Sequence, residues 1–140
     1  MNIIFVCHGS ICRSPAAMMI FKSLCKKHNV IARALSYEEY GNGLYPPMRK
    51  ELITQGIELC DHISYYLTDE DYRWADYIFY MDSHNRYLLE KRFGHNDKKI
   101  LPISQYTPSI SEIEDPWYTG RYEKVVNQIT ECVKDIIKNL

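Results

Sequence analysis

Apolar and polar positions divide the chain into short strand-like runs and longer helical stripes. Ile3, Ile4, Phe5 and Val6 form an unbroken apolar run rich in β-branched and aromatic side chains, the pattern of a buried strand. A helix is predicted from Pro15 to about His28. Ala17, Phe21, Leu24, Cys25 and His28 recur there at helical spacing, while Lys22, Lys26 and Lys27 take the wet side. Ser14-Pro15 marks its start: Ser can cap, and Pro suits the first helical position because its missing N–H is not needed there. Asn29 ends the helix, and Val30 to Ser36 reads as a second strand. A strand, helix and strand of this length imply a parallel pair with a right-handed crossover.

Further along, Tyr37 to Pro47 is predicted as a loop, broken by Gly41, Asn42 and Gly43 and closed by Pro46-Pro47. Met48 to Gln55 reads as a helix with Met48, Leu52 and Ile53 inward and Gly56 as its left-handed stop. Thr68 caps a short helical turn over Asp69, Glu70 and Asp71. Asp76 to Met81 is a third strand; Asp82 or Ser83 caps a helix to about Arg92, ended by Gly94. Lys99 to Ile103 is a short fourth strand, and Ser104 to about Thr119 a long loop. The final helix runs from Gly120 or Arg121 to Leu140, with Tyr122, Val126, Ile129, Val133, Ile136 and Leu140 as the cleanest stripe in the chain. Strands alternating with helices predict an α/β fold: one domain over residues 1–140, with about four parallel strands in a sheet flanked by helices on both faces. Ligands of such sheets bind beyond the carboxyl ends of the strands, where the residues after the first strand lie.

Composition narrows the class. The length of 140 residues holds one sizeable core, and 46% apolar with 25% charged residues is ordinary for a soluble globular protein. A net charge of −1 gives no case for nucleic acid or membrane as partner. No stretch approaches membrane-spanning length, and the first apolar run is too short for a signal peptide. The five cysteines show neither a secreted framework nor a paired C-x-x-C pattern, so a reducing, cytoplasmic setting is expected. The chain is also expected to be a monomer.

Candidate chemistry sits between the first strand and the first helix. A strand, a compact loop and a helix N-terminus make an anion-binding hollow, because free N–H groups and the positive helix end converge there. Cys7 stands at the head of that loop as a candidate nucleophile, favoured as thiolate by such surroundings; taken alone, a buried structural cysteine is the commoner case. Arg13 could bind two oxygens of a phosphoryl group at once, which a Lys cannot do. Ser14 could donate to the sulfur, or simply cap the helix. Gly9 lets the loop turn inward, Ser10 could bond across it, and Cys12 is either a reversible disulfide partner for Cys7 or a small core thiol. Leaving-group protonation needs an acid, and Glu112, Glu114 and Asp115 are the candidates. Asp115 stands out because Pro116 stiffens its approach, with Trp117 and Tyr118 as a possible aromatic wall beside a planar substrate.

Cys7 to Pro15, C-H-G-S-I-C-R-S-P, resembles the signature loop C-x-G-N-x-C-R-S-P of the low-molecular-weight protein tyrosine phosphatases. Asp115-Pro116-Trp117-Tyr118 is similar to that family's D-P-aromatic-aromatic loop. Asp76-Tyr77-Ile78 with Met81-Asp82 and Asn85 resembles its D-Y-I-x-x-M-D-x-x-N segment. The resemblance spans essentially the whole chain. It implies a four-stranded parallel sheet and a phosphocysteine mechanism without metal or other cofactor. Cys7 would attack phosphorus, Arg13 would hold the equatorial oxygens and Asp115 would act as acid and then base. His8, Gly9, Ser10, Ile11, Cys12 and Ser14 would complete the phosphate-binding loop. The implied partners are a tyrosine-phosphorylated protein or peptide and phosphate or a similar oxyanion.

Two departures matter. Ser10 replaces the family's Asn, which helps fix a left-handed turn, so the loop is expected to be looser or rewired through the Ser hydroxyl. His8 replaces a residue that is often apolar, and is expected to be exposed or partner-bonded. Ile11 stands where related phosphoarginine enzymes tend to carry Thr, which favours phosphotyrosine over an arginine phosphatase activity. Arsenate reduction would need a relay of further cysteines, and mid-chain Cys60 lacks a near partner. A non-catalytic phosphotyrosine-binding module would be expected to lack Cys7 or Asp115.

Overall fold

The computed structural model describes all 140 residues. Its elements are β1 (Asn2–Cys7), α1 (Arg13–Leu24), β2 (Asn29–Ala34), α2 (Pro46–Thr54), α3 (Asp69–Trp74), β3 (Tyr77–Tyr80), α4 (Ser83–Phe93), β4 (Ile100–Pro102), α5 (Pro116–Thr119) and α6 (Tyr122–Lys138). The four strands form one parallel sheet in the order β2-β1-β3-β4. β1 is central, which explains its unbroken apolar run: both faces must be covered. Ile3, Phe5 and Cys7 point into a larger core built with α1, α2 and α6. Ile4 and Val6 point the other way, into a smaller core with Leu67, Ala75 and Leu89. Phe5 touches Phe79 and Phe21 at centroid distances of 5.7 and 6.2 Å. Its side chain is fully buried, so Phe5→Ala would cost about 3–5 kcal/mol. The fold expected from the sequence, helices on both faces included, is the fold observed.

Several boundaries differ. α1 begins at Arg13 rather than Pro15; Cys12 occupies its cap position without a side-chain cap bond. Ser14 is thus the second helical residue, and its hydroxyl turns inward instead of capping. The helix also stops at Leu24, not His28, because Cys25 is extended (φ −149°, ψ 125°) and the chain must turn back for Asn29 to pair with Asn2. Leu24 is exposed, whereas every residue from Arg13 to Phe21 is buried, since α1 is wedged between the sheet and α6. Ile53, expected inward, is exposed, because α2 buries only Met48 and Leu52. The loop expected over 104–119 ends in the short helix α5, which Asp115 caps by accepting from the Trp117 N–H at 3.0 Å. α6 starts at Tyr122 and leaves Leu140 exposed beyond its end, while Val125 and Cys132 join its buried face. Gly56 does take positive φ, and Thr68 does cap, in a reciprocal box with Asp71.

Candidate active site

Residues 7–13 carry the chain from the carboxyl end of β1 into the first turn of α1. Every carbonyl from Cys7 to Ile11 is fastened on the outside of this turn. Leu35 N–H donates to the Cys7 and His8 carbonyls at 3.1 and 3.2 Å, and Tyr45 N–H to that of Ile11 at 2.8 Å. The Ser36 hydroxyl donates to the His8 carbonyl at 3.0 Å, and the Ser64 hydroxyl to that of Gly9 at 2.7 Å. His62 Nε2 lies 2.7 Å from the Ser10 carbonyl. With the carbonyls held outward, the N–H groups of residues 8–12 meet no acceptor in the protein and converge on the hollow over Cys7. No acidic residue lies in the first turn of α1 to compete for that positive end.

Below the hollow runs a directed chain of hydrogen bonds. A carbonyl only accepts, so His62 carries its proton on Nε2. The Ser10 hydroxyl, 3.3 Å from that nitrogen and 2.7 Å from Ser14 Oγ, is then free to donate to Ser14. Ser14 Oγ sits 3.3 Å from Cys7 Sγ, and the Ser14 N–H donates to the same sulfur at 3.4 Å. Burial lowers the His62 pKa, aided by Arg33 and Lys22 and opposed by the bond to Ser10, so the ring is neutral when it donates. Ser10 adopts φ 52°, the only positive φ outside glycine, and is fully buried. The loop is therefore rewired through the Ser hydroxyl rather than loosened.

Arg13 is 3% exposed. Its Nη1 donates to Asp82 Oδ2 at 2.6 Å and to the Ile113 carbonyl at 2.9 Å; Nη2 lies 3.7 Å from Asp115 Oδ2. Burial opposes its charge, but Cys7, Asp82 and Asp115 together raise its pKa above the ordinary value. The fork is thus fixed and permanently cationic. Burial, with Cys7 and Asp115 nearby, pushes the Cys12 thiol strongly upward, so Cys12 stays protonated. Cys7 and Cys12 are both free thiols.

Among the three candidate acids, geometry selects Asp115. It lines the pocket of about 200 Å³ over Cys7, with Trp117 and Tyr118 beside it and Glu38 and Glu39 also on the lining. Glu112 instead accepts from the Ser83 N–H at 3.0 Å. Glu114 is tied to Lys124 and Arg121, each at 2.8 Å, and Lys124 foremost pulls its pKa down to about 2. Unlike Asp115, it does not line the pocket. His8 is partner-bonded, its Nε2 3.0 Å from Glu38 Oε2. No group of three or more His, Cys, Asp or Glu side chains is placed to hold a metal ion.

Of the residues singled out in the sequence, Cys7 to Arg13, Asp115, Trp117 and Tyr118 line one pocket and Ser14 lies beneath it, whereas Glu112 and Glu114 are engaged elsewhere. Sequence reasoning missed His62, Ser64 and Ser36, which sit in irregular segments without periodicity. Asp82 lay within the recognised M-D-x-x-N segment, but its grip on Arg13 emerges only when β3 is paired beside β1.

The sequence pattern of the family described as low molecular weight phosphotyrosine protein phosphatase matches residues 2–140. A rat low molecular weight phosphotyrosine protein phosphatase is 34% identical, covering 98% of this chain and 94% of its own. A protein-arginine-phosphatase of Bacillus subtilis is 29% identical over 100% of this chain and 97% of its own. The crystal structure of YfkJ from Bacillus subtilis superposes with a TM-score of 0.93 at 26% identity, covering 99% of this chain and 93% of that one. The hollow over Cys7 and the match along nearly the whole chain place this protein in the low molecular weight phosphotyrosine protein phosphatase family, as a cysteine-dependent phosphatase.

Proposed function

We propose that the chain hydrolyses phosphotyrosine in proteins or peptides through a phosphocysteine intermediate. The observation that carries this reading is the position of Cys7 Sγ under a ring of unbonded N–H groups, with Ser14 on the sulfur, Arg13 buried beside it and Asp115 within 3.7 Å of Arg13.

In the first step the Cys7 thiolate attacks phosphorus as the bond to the tyrosyl oxygen breaks. The N–H groups of residues 8–12 and the Nε and Nη2 groups of Arg13 take the equatorial oxygens as charge develops there. Asp115, protonated, gives its proton to the departing phenolic oxygen. In the second step its carboxylate takes a proton from water, the water oxygen attacks phosphorus, and the S–P bond breaks to restore the thiolate and release phosphate. Ser14 stabilises the sulfur in both steps. The charges that a metal would neutralise are met by Arg13 and the loop, so the reaction runs without one, in a reducing cytoplasmic setting that suits a working thiol.

Trp117 and Tyr118 support an aryl substrate as walls for a planar ring, and Ile11 offers no hydroxyl to a more polar one. The relationship to a protein-arginine-phosphatase makes phosphoarginine the reading to compare. Phosphotyrosine, phosphoarginine and arsenate assayed side by side with a chelator present test the choice. Phosphotyrosine turnover at least tenfold faster, by kcat/KM, is the expected result; faster phosphoarginine turnover, or loss of all activity to the chelator, would overturn it.

A further inference from the structure

The pocket mouth carries charge that hydrolysis of a bare aryl phosphate does not require. One wall comes from the stretch Tyr37-Glu38-Glu39-Tyr40, of which Glu38 and Glu39 line the pocket together with Trp117 and Tyr118. Both carboxylates are held in place. Glu38 meets His8 at 3.0 Å, and Glu39 Oε2 accepts from Asn42 Nδ2 at 2.8 Å. A Cβ on residue 9 would come within 3.1 Å of Glu39 Cγ, so Gly9 is what allows Glu39 to lie against the phosphate-binding loop.

The flanking tyrosines are exposed yet ordered. Tyr37 is 66% exposed and stacks on Tyr66 at 4.2 Å; Tyr40 is 56% exposed and meets Tyr65 edge-on at 5.7 Å. No Lys or Arg pairs with Glu38 or Glu39; Arg33 and Arg92 sit instead against the supporting rings of Tyr65 and Tyr66, at 5.9 and 4.9 Å. Arg121, tied to Glu114, is not among the residues that line the pocket. Arg13 is the one permanent cation lining the pocket, and it lies at the floor where phosphate binds. Above that floor the mouth offers two carboxylates, and the exposed rings of Tyr37 and Tyr40 flank them along the chain.

We propose that the Tyr37–Tyr40 wall selects phosphotyrosine substrates that carry Arg or Lys within a residue or two of the phosphotyrosine. The inference rests on the phosphotyrosine reading and adds the sequence context. A residue spans about 3.3–3.6 Å of extended chain, so a neighbouring side chain reaches the mouth while the phosphate sits at the floor. A cationic neighbour pairs with Glu38 and Glu39 and rests on the faces of Tyr37 and Tyr40. An acidic neighbour meets like charge.

Three phosphotyrosine peptides, identical except for Arg, Ala or Glu on either side of the phosphotyrosine, test this, with free phosphotyrosine alongside. Wild-type kcat/KM for the Arg peptide should exceed that for the Glu peptide about tenfold at low salt, and high salt should compress the ratio. In the double variant Glu38→Gln/Glu39→Gln the ratio should fall to about twofold or less. Because each ratio is internal to one enzyme, a general loss of activity through the His8 contact cancels. A ratio near one in the wild type, or an unchanged ratio in the double variant, overturns the inference. If the peptides are hydrolysed and the ratio is near one, only the selectivity fails; if neither the peptides nor free phosphotyrosine is hydrolysed, the phosphotyrosine reading fails as well.

Discussion

Replacing Ser10 by Ala removes one hydroxyl from the chain that links His62 to Cys7. In the protein that hydroxyl is fully buried and lies 2.7 Å from Ser14 Oγ. Its loss leaves Ser14 without its donor, which costs about 1–3 kcal/mol when the group is buried. Ala also keeps the left-handed backbone at residue 10, worth about 1–2 kcal/mol of strain in any residue with a Cβ, whereas Gly relieves it. The two effects therefore separate. Ser10→Ala and Ser10→Gly should both lower kcat/KM for 4-nitrophenyl phosphate about fivefold, the equivalent of about 1 kcal/mol of support lost at the sulfur. Only Ser10→Ala should lose melting temperature markedly, by about 3–6 °C. The rate of iodoacetamide alkylation at Cys7 at neutral pH, read by mass spectrometry to separate it from exposed Cys60, should fall in both variants. If Ser10→Gly recovers full activity and the wild-type alkylation rate, backbone strain governs the loop and the relay reasoning is refuted.

Two further outcomes follow from the site. Asp115→Asn should slow phenyl phosphate about 100-fold or more in kcat and 4-nitrophenyl phosphate far less, because only the poorer leaving group needs the proton; equal slowing across a leaving-group series would count against the acid assignment. His62 has a folded pKa below the ordinary 6.5, so its contribution to stability is complete above that value and is lost as pH falls below it. Melting temperature should thus drop between pH 7 and pH 5, and His62→Gln should flatten part of that drop; an identical slope in the variant would contradict the neutral, donating ring.

What could be read in advance depended on how local each signal was. The run Ile3 to Val6 announces a strand covered on both faces, and α6 announces itself through Val126, Ile129, Val133 and Ile136, because periodicity and burial coincide there. Cys7 and Arg13 were legible because one loop holds both. Asp115 became legible only beside them, since an acidic loop next to Pro is ordinary by itself. Ser14 shows where local rules mislead. Ser before Pro reads as a cap, but the helix starts at Arg13 and the hydroxyl goes to Cys7 instead. His62, Ser64 and Ser36 left no sequence signal, because their role is to fasten carbonyls of a loop far away in the chain. The tyrosine excess acquires a partial physical account: Tyr37, Tyr40, Tyr65 and Tyr66 pack together beside the pocket mouth.

The central claim is that phosphate passes through Cys7. Mixing the enzyme with an excess of phosphorus-32-labelled aryl phosphate, quenching in acid within milliseconds and mapping the label tests it directly. The account predicts label on Cys7 in the wild type, more of it when water attack is slowed in Asp115→Ala, and neither label nor turnover in Cys7→Ser. Hydrolysis that proceeds with no label on Cys7, or substantial turnover by Cys7→Ser, would contradict it.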